Sequence, residues 1–128
     1  MILQHILFEK REPDHVDARR GIHTIFNADV GDFVAQQVKI ADIYTGAVLG
    51  GHFHNYRELF YVWQGQATFT LCDPATKETR EFVLDPQTRL LVPPGIAHKA
   101  VVTEGTLLLG ATEEPYISAA ENDIPYEF

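Results

Sequence analysis

Three histidines and one glutamate are spaced along the chain so that their side chains could come together and bind a metal. His52 and His54 are two residues apart, so on an extended segment both imidazoles project to the same side. Glu58 follows with the same parity, and His98 begins a later predicted strand. If these strands are neighbours, three imidazoles and one carboxylate would surround a site that suits a divalent transition metal.

Short β-strands separated by turns are the elements that must position these residues. Segment 66–72 alternates apolar and polar residues, which is the period of a half-buried strand. Gly50 and Gly51 allow the backbone to bend just before the histidine pair. Related patterns predict strands at 21–26, 33–44, 58–63, 66–72, 78–84, 89–92, 98–103 and 106–111. Evenly spaced strands of this kind are typical of an antiparallel sandwich or barrel.

The composition indicates one domain, residues 1–128, that binds neither nucleic acid nor membrane. The chain has 128 residues, 45% of them hydrophobic, and a formal net charge of −8, so it lacks a cationic footprint for nucleic acid. No apolar window reaches the roughly 18 residues of a membrane span, and no signal peptide is recognisable. The lone Cys72 suits a reducing compartment, which predicts a cytoplasmic protein. The tail 113–128 is expected to wrap the surface without adding a regular element.

The strand 58–63 is apolar on both faces, which predicts burial on both sides. Glu58 marks one face, and Leu59, Tyr61 and Trp63 share the other. In a small two-layer domain the second face often lies against another subunit, so the pattern predicts a homodimer. The alternative is that the amino-terminal segment or the tail covers this face within one chain.

The chain resembles the cupin superfamily through two motifs. The first, G-x5-H-x-H-x3-E-x6-G, is complete, and its fixed positions are Gly46, His52, His54, Glu58 and Gly65. The second, G-x5-P-x-G-x2-H-x3-N, matches at Pro93, Gly95 and His98 and departs at Gln87 and Val102. The resemblance covers about residues 35–112. It implies an all-β, double-stranded β-helix, the cupin jelly-roll barrel, with the metal ligands His52, His54, Glu58 and His98 inside.

A narrower resemblance is to the small RmlC-like cupins that act on sugar nucleotides. Arg20 with Gly21, the run 51–54 and the ending 123–128 look like the WxcM-like ketoisomerases and the deoxysugar epimerases of polysaccharide biosynthesis. In such enzymes the histidine pair can act as acid and base without a metal. This chain keeps Glu58 and His98, which favours a metal.

These observations together predict a metal-dependent isomerase or epimerase acting on a small carbohydrate-type substrate. The metal, one divalent Zn, Fe, Mn, Ni or Co ion, would polarise a carbonyl. With all three motif histidines assigned to the metal, the catalytic base would be Tyr44, Tyr56 or a metal-bound water. Two alternatives stay open, namely a metal-dependent dioxygenase or lyase, and a cupin that binds a small molecule without catalysis.

Overall fold

A computed structural model describes residues 2–128 and builds the chain mainly from short antiparallel strands, which hold 46% of the residues. The strands are β1 (Phe8–Lys10), β2 (His15–Val16), β3 (Gly21–Ile22), β4 (Gln37–Asp42), β5 (Ala47–Phe53), β6 (Glu58–Gln64), β7 (Ala67–Cys72), β8 (Thr79–Leu84), β9 (Thr88–Val92), β10 (Ala97–Val102), β11 (Leu107–Thr112) and β12 (Ile124–Pro125). A 3-10 helix spans Ile2–His5, and the helix α1 spans Ala119–Asn122. Within the described residues, neither helix is long and apolar enough to cross a membrane.

Two five-stranded sheets face each other and enclose the core. One sheet has the order β1-β9-β6-β11-β4, and the other has the order β12-β5-β10-β7-β8. Strands that are distant in sequence are therefore neighbours, as β5 and β10 are. Apolar residues of the inward parity fill the space between the sheets, among them Phe60, Val62, Phe69, Leu71, Phe82, Leu84 and Leu90. The predicted all-β, jelly-roll fold class is confirmed.

The six strands between residues 58 and 112 match their predicted positions to within about one residue. β5 was expected only as an extended segment at the histidine pair and was not among the predicted strands, and both ends of the chain differ from expectation. The predicted strand 21–26 shortens to two residues, Gly21–Ile22, and 33–44 shortens to Gln37–Asp42. The expectation that the tail adds no regular element is wrong. Ser118 caps α1 by accepting a hydrogen bond from the Glu121 N–H, and β12 then pairs with the edge of β5. Pro125 is tolerated there because β12 is an edge strand.

The outward face of β6 is covered mainly by the chain's own amino-terminal segment. Leu59 and Tyr61 are buried, and Val30 and Phe33 pack in the same outer cluster as Leu59. Trp63, at the end of the strand, stays 45% exposed. The argument that this face needs a second subunit is therefore wrong for most of its area. The homodimer itself stays a prediction.

Arg89, on β9, links residues 9–29 of the amino-terminal segment to the sheet by hydrogen bonds. Its side chain is 2% exposed, and the guanidinium donates to the Ile25 carbonyl at 2.9 Å and to the Asp29 carboxylate at 3.1 and 3.2 Å. It also binds the Glu9 carboxylate, with Nε at 2.8 Å from Oε1. The paired guanidinium holds the pKa of Asp29 well below its usual range. Arg89 is therefore a structural anchor.

Arg89→Ala is predicted to lower the free energy of unfolding by roughly 3 kcal/mol, because it leaves the Ile25 carbonyl and two carboxylates without their shared donor. Urea unfolding measures this change. Arg19→Ala is the matched control, because Arg19 is 80% exposed and only pairs with Asp17 at 3.5 Å, so its loss should cost less than about 1 kcal/mol. Equal losses in the two variants would contradict the anchoring role.

Candidate active site

A β-bulge in β5 directs the side chain of His52 toward the interior of the barrel. His98 pairs with His52 while its neighbour Lys99 pairs with Gly50, so Gly51 is an extra residue on β5. The extra residue shifts the alternation of side chains by one position. As a result Leu49 and His52, which differ in parity, both line the interior cavity.

Glycine is required at this bulge. Gly50 has φ +89°, a conformation that residues with a Cβ rarely adopt. A Cβ there would also lie 2.6 Å from the His98 carbonyl oxygen. The close approach of β5 and β10 that places two histidines side by side thus depends on the missing side chain. The predicted bend before the histidine pair is present in the form of this bulge.

The four predicted metal ligands meet inside the barrel. The candidate donor nitrogens of His52, His54 and His98 lie within 4.8 Å of one another. Glu58 begins β6, is 3% exposed, and brings its Oε1 to 3.2 Å from His54 Nε2 and 3.8 Å from His98 Nε2. Gly110 leaves room for this carboxylate, since a Cβ there would lie 3.2 Å from Glu58 Oε2. This cluster forms one wall of a cavity of about 210 Å³.

The rest of the cavity wall is largely apolar. Its apolar lining residues are Ala41, Leu49, Phe60, Phe69, Ala100 and Leu108. Three further polar side chains reach it, namely Lys39 from β4 and Tyr116 and Asp123 from the carboxy-terminal segment. Lys39 is the one Lys or Arg among the described lining residues, and its ammonium lies 5.2 Å from the centre of the Tyr116 ring.

Asp123 was missed by the sequence analysis and lies against the histidine pair. One carboxylate oxygen is 3.5 Å from His54 Nδ1, and the other is 3.9 Å from His52 Nδ1. Tyr116 donates a hydrogen bond to Asp123 at 3.0 Å. The resemblance of the ending 123–128 to sugar-nucleotide cupins was the one signal in the sequence that pointed to this segment.

The two tyrosines predicted as catalytic do not line the cavity. Tyr44 is 81% exposed in the turn after β4. Tyr56 lies behind His54, with the two rings stacked 4.8 Å apart at 8°, and its hydroxyl accepts a hydrogen bond from Asn122 Nδ2 at 3.0 Å. Burial raises the pKa of Tyr56, which keeps its hydroxyl protonated. Tyr116 is the tyrosine that the structure brings to the cavity.

The three histidines differ in their electrostatic surroundings. Burial lowers the pKa of His98 well below its usual value, and the neighbouring histidines lower it further. Burial also lowers the pKa of His52, against the opposing effect of Asp123. Burial alone would lower the pKa of His54, but hydrogen bonds to Glu58 and to the Asn122 carbonyl outweigh it, so that pKa is raised. His52 is therefore a neutral imidazole at neutral pH.

The sequence matches the family model described as Cupin over residues 23–112. The chain belongs to the cupin family. No curated protein matches it.

Solved structures with the same fold come from enzymes of sugar nucleotides. A TDP-quinovose 3,4-ketoisomerase from Campylobacter jejuni aligns with a TM-score of 0.80 and 17% identity over 95% of this cupin and 93% of that chain. A dTDP-4-dehydrorhamnose 3,5-epimerase from Bacillus anthracis, solved with TDP and PPi bound, aligns with a TM-score of 0.77 and 22% identity over 92% of this cupin and 76% of that chain. A sugar 3,4-ketoisomerase from Thermoanaerobacterium thermosaccharolyticum, in complex with TDP, gives a TM-score of 0.75 and 20% identity over 90% of this cupin and 85% of that chain. These likenesses establish a shared fold.

The stability of the metal-free cupin is predicted to decrease as the pH falls below about 6.5, the usual pKa of histidine. His98 and His52 have lower pKa values in the folded state, so the unfolded chain binds more protons in this range. His54, whose pKa is raised, acts in the opposite direction. In His98→Asn the decrease between about pH 7 and pH 5 should be smaller, as measured by urea unfolding at each pH. An unchanged or steeper decrease would contradict the buried, neutral state of His98.

Proposed function

We propose that this cupin is an isomerase or epimerase that moves a proton at the carbon next to a carbonyl group of a carbohydrate-type substrate. The observation that carries the proposal is the contact between His52 and Asp123 in the cavity wall, with 3.9 Å between Nδ1 and Oδ2. A neutral imidazole backed by a carboxylate is a general base, because the carboxylate stabilises the imidazolium that forms. His52 is the least buried of the three clustered histidines, so a substrate can reach it.

In the proposed reaction, His52 removes the proton from the carbon and carries it as an imidazolium. The electron pair of the broken C–H bond moves onto the carbonyl oxygen, which becomes an enolate. Lys39, the cation of the cavity wall, is the group that can stabilise this oxygen. Delivery of a proton to the opposite face by a second group gives an epimer, and His52 then releases its proton to solvent. Transfer of the proton from His52 to the former carbonyl carbon, with the neighbouring hydroxyl proton passing to the enolate oxygen, gives an isomer.

The residues present also fit a divalent metal. Three imidazole nitrogens within 4.8 Å of one another, with a carboxylate beside two of them, form a donor set that suits Zn, Fe, Mn, Ni or Co. His54 Nδ1 donates to the Asn122 carbonyl, which leaves its Nε2 as the donor atom, as ligating histidines are commonly arranged. We propose that His54, Glu58 and His98, three of the four predicted ligands, would hold the ion, which would supply a Lewis acid for the carbonyl, and that His52 stays free as the base.

The size of the cavity and the similar structures support a sugar nucleotide as the substrate. The similar enzymes are named for TDP-linked sugars, and two were solved with TDP. A volume of about 210 Å³ is below the 300–1,000 Å³ of a typical ligand pocket, so it accommodates a sugar ring, with the nucleotide outside. The apolar residues of the wall would then contact the faces of the ring.

The first test of this proposal is proton exchange in D₂O with TDP-4-keto-6-deoxyglucose, the ligand of one similar ketoisomerase, and with related keto sugars. Deuterium should enter at a carbon beside the carbonyl. His52→Asn should slow the exchange by about 10²–10⁴-fold, the usual contribution of a general base. His15→Asn is the control, because His15 is exposed and pairs only with Asp17. Absence of exchange with every keto sugar, or full exchange in His52→Asn, would contradict the proposed function.

The second test determines whether the reaction needs a metal or proceeds with His52 and Asp123 without one. Titration of chelator-treated protein with Zn²⁺ and Mn²⁺ should show one ion per chain, and at 100 times Kd the ion should add about 2.7 kcal/mol to the stability. His98→Ala should abolish this binding, because it removes a buried donor. If exchange persists at the full rate in metal-free protein, the reaction uses His52 and Asp123 alone. Unchanged ion binding in His98→Ala would refute the proposed ligand set.

A further inference from the structure

The side chain of Asn122 uses all of its hydrogen-bonding capacity, on three groups of the carboxy-terminal segment and on Tyr56. Its Oδ1 accepts from the Ile117 N–H at 2.8 Å and from the Ser118 N–H at 3.2 Å. Its Nδ2 donates to the Tyr56 hydroxyl at 3.0 Å and to the Pro115 carbonyl at 3.1 Å. The residue is 8% exposed. A buried amide with two donors and two acceptor lone pairs satisfied is a rigid junction.

The backbone of the same residue contacts the site directly. The Asn122 carbonyl oxygen is 2.8 Å from His54 Nδ1. A carbonyl oxygen only accepts, so Nδ1 carries a proton in the neutral ring as well as in the imidazolium; Nε2 faces Glu58 at 3.2 Å and donates to it only in the imidazolium. The Tyr56 ring stacks on one face of the His54 imidazole, and the Asn122 amide donates a hydrogen bond to the Tyr56 hydroxyl. Asn122 therefore fixes His54 both along the Nδ1–H direction and, through Tyr56, perpendicular to the ring.

We propose that Asn122 is a positioning residue, whose side chain locks the segment 115–122 so that His54 keeps one ring orientation and a protonated Nδ1. The inference deepens the proposed function, on which its activity readout rests, because it adds a residue to the same site. It holds whether His54 binds a metal or takes part in proton transfer, since both need Nε2 to face the cavity. Asp123 is the next residue, so the same junction also sets the carboxylate beside His52.

The amide is essential because the backbone carbonyl cannot hold its own position. α1 has four residues, which is too short to be stable without other contacts. Without the amide, the two N–H groups before α1, the Pro115 carbonyl and the Tyr56 hydroxyl lose their partners. The chain around residue 122 then gains conformational freedom, and the hydrogen bond to His54 becomes intermittent.

The test compares Asn122→Ala with Ser118→Ala in the full-length, metal-free protein. Ser118→Ala is the matched control, because it removes the cap of α1 through the Ser118 hydroxyl but keeps the backbone N–H that Asn122 binds. The first readout is the ¹⁵N chemical shift of His54 Nδ1 above neutral pH, which distinguishes a protonated from an unprotonated ring nitrogen. It requires no substrate, so it stands even if the proposed function fails. The second readout is kcat and KM for deuterium exchange.

In the wild type and in Ser118→Ala, the shift of Nδ1 should be that of a protonated nitrogen. In Asn122→Ala it should move toward the average of the two tautomers, and kcat should fall about 10–100-fold with little change in KM, the usual effect of losing a residue that orients a site histidine. Melting temperatures are measured for both variants. A protonated Nδ1 that persists in Asn122→Ala overturns the proposal. An equal loss of kcat in the two variants at equal melting temperatures also overturns it, because Asn122 would then only stabilise the tail and would not orient His54.

Discussion

The approach of β5 to β10 at Gly50 is the constraint on which the site depends. Opposite His98, the β5 backbone lies so close that a Cβ at Gly50 would be 2.6 Å from a carbonyl oxygen. The bulge formed there adds one residue to β5 and reverses the alternation of side chains beyond it. Upstream of the bulge, Leu49 contributes to the apolar wall. Downstream of it, His52 contributes to the polar cluster, so one strand serves both the core and the chemistry.

Burying this cluster in an apolar barrel creates a second requirement, because each polar group needs a partner. Among the described residues of the barrel strands, Glu58 is the carboxylate that lies near His54 and His98. The buried Nδ1 of His98 has no hydrogen-bond partner in the part of the chain that the structure describes. The carboxy-terminal segment supplies two further contacts, the Asn122 carbonyl to His54 and the Asp123 carboxylate beside His52. The tail is therefore part of the site, although it lies outside residues 23–112 that match the family model. Its short helix and strand form because they dock on β5 and on Tyr56.

The sequence predicted those features that depend on local spacing. The parity of His52, His54 and Glu58 and the period-2 strands are local, and the clustering and the all-β fold followed from them. The burial of Arg89 depends on Glu9 and Asp29, which are 80 and 60 residues away, and no local pattern records such a pairing. The tail was misjudged for the same reason. A two-residue strand and a four-residue helix have no periodicity, and they exist only through contacts with β5 and Tyr56.

The positions of the two carboxylates suggest how acid–base chemistry and metal binding can share one cluster. Glu58 Oε1 lies 3.2 and 3.8 Å from the Nε2 atoms of His54 and His98, whereas Asp123 is the carboxylate nearest to His52. An imidazole nitrogen that binds a metal cannot at the same time accept a proton. His54, His98 and Glu58 form a two-histidine, one-carboxylate set that is sufficient for a divalent ion. His52, less buried and backed by Asp123, is then free to act as the base. A division of this kind would let the metal and the proton acceptor lie side by side, on the same wall of the cavity.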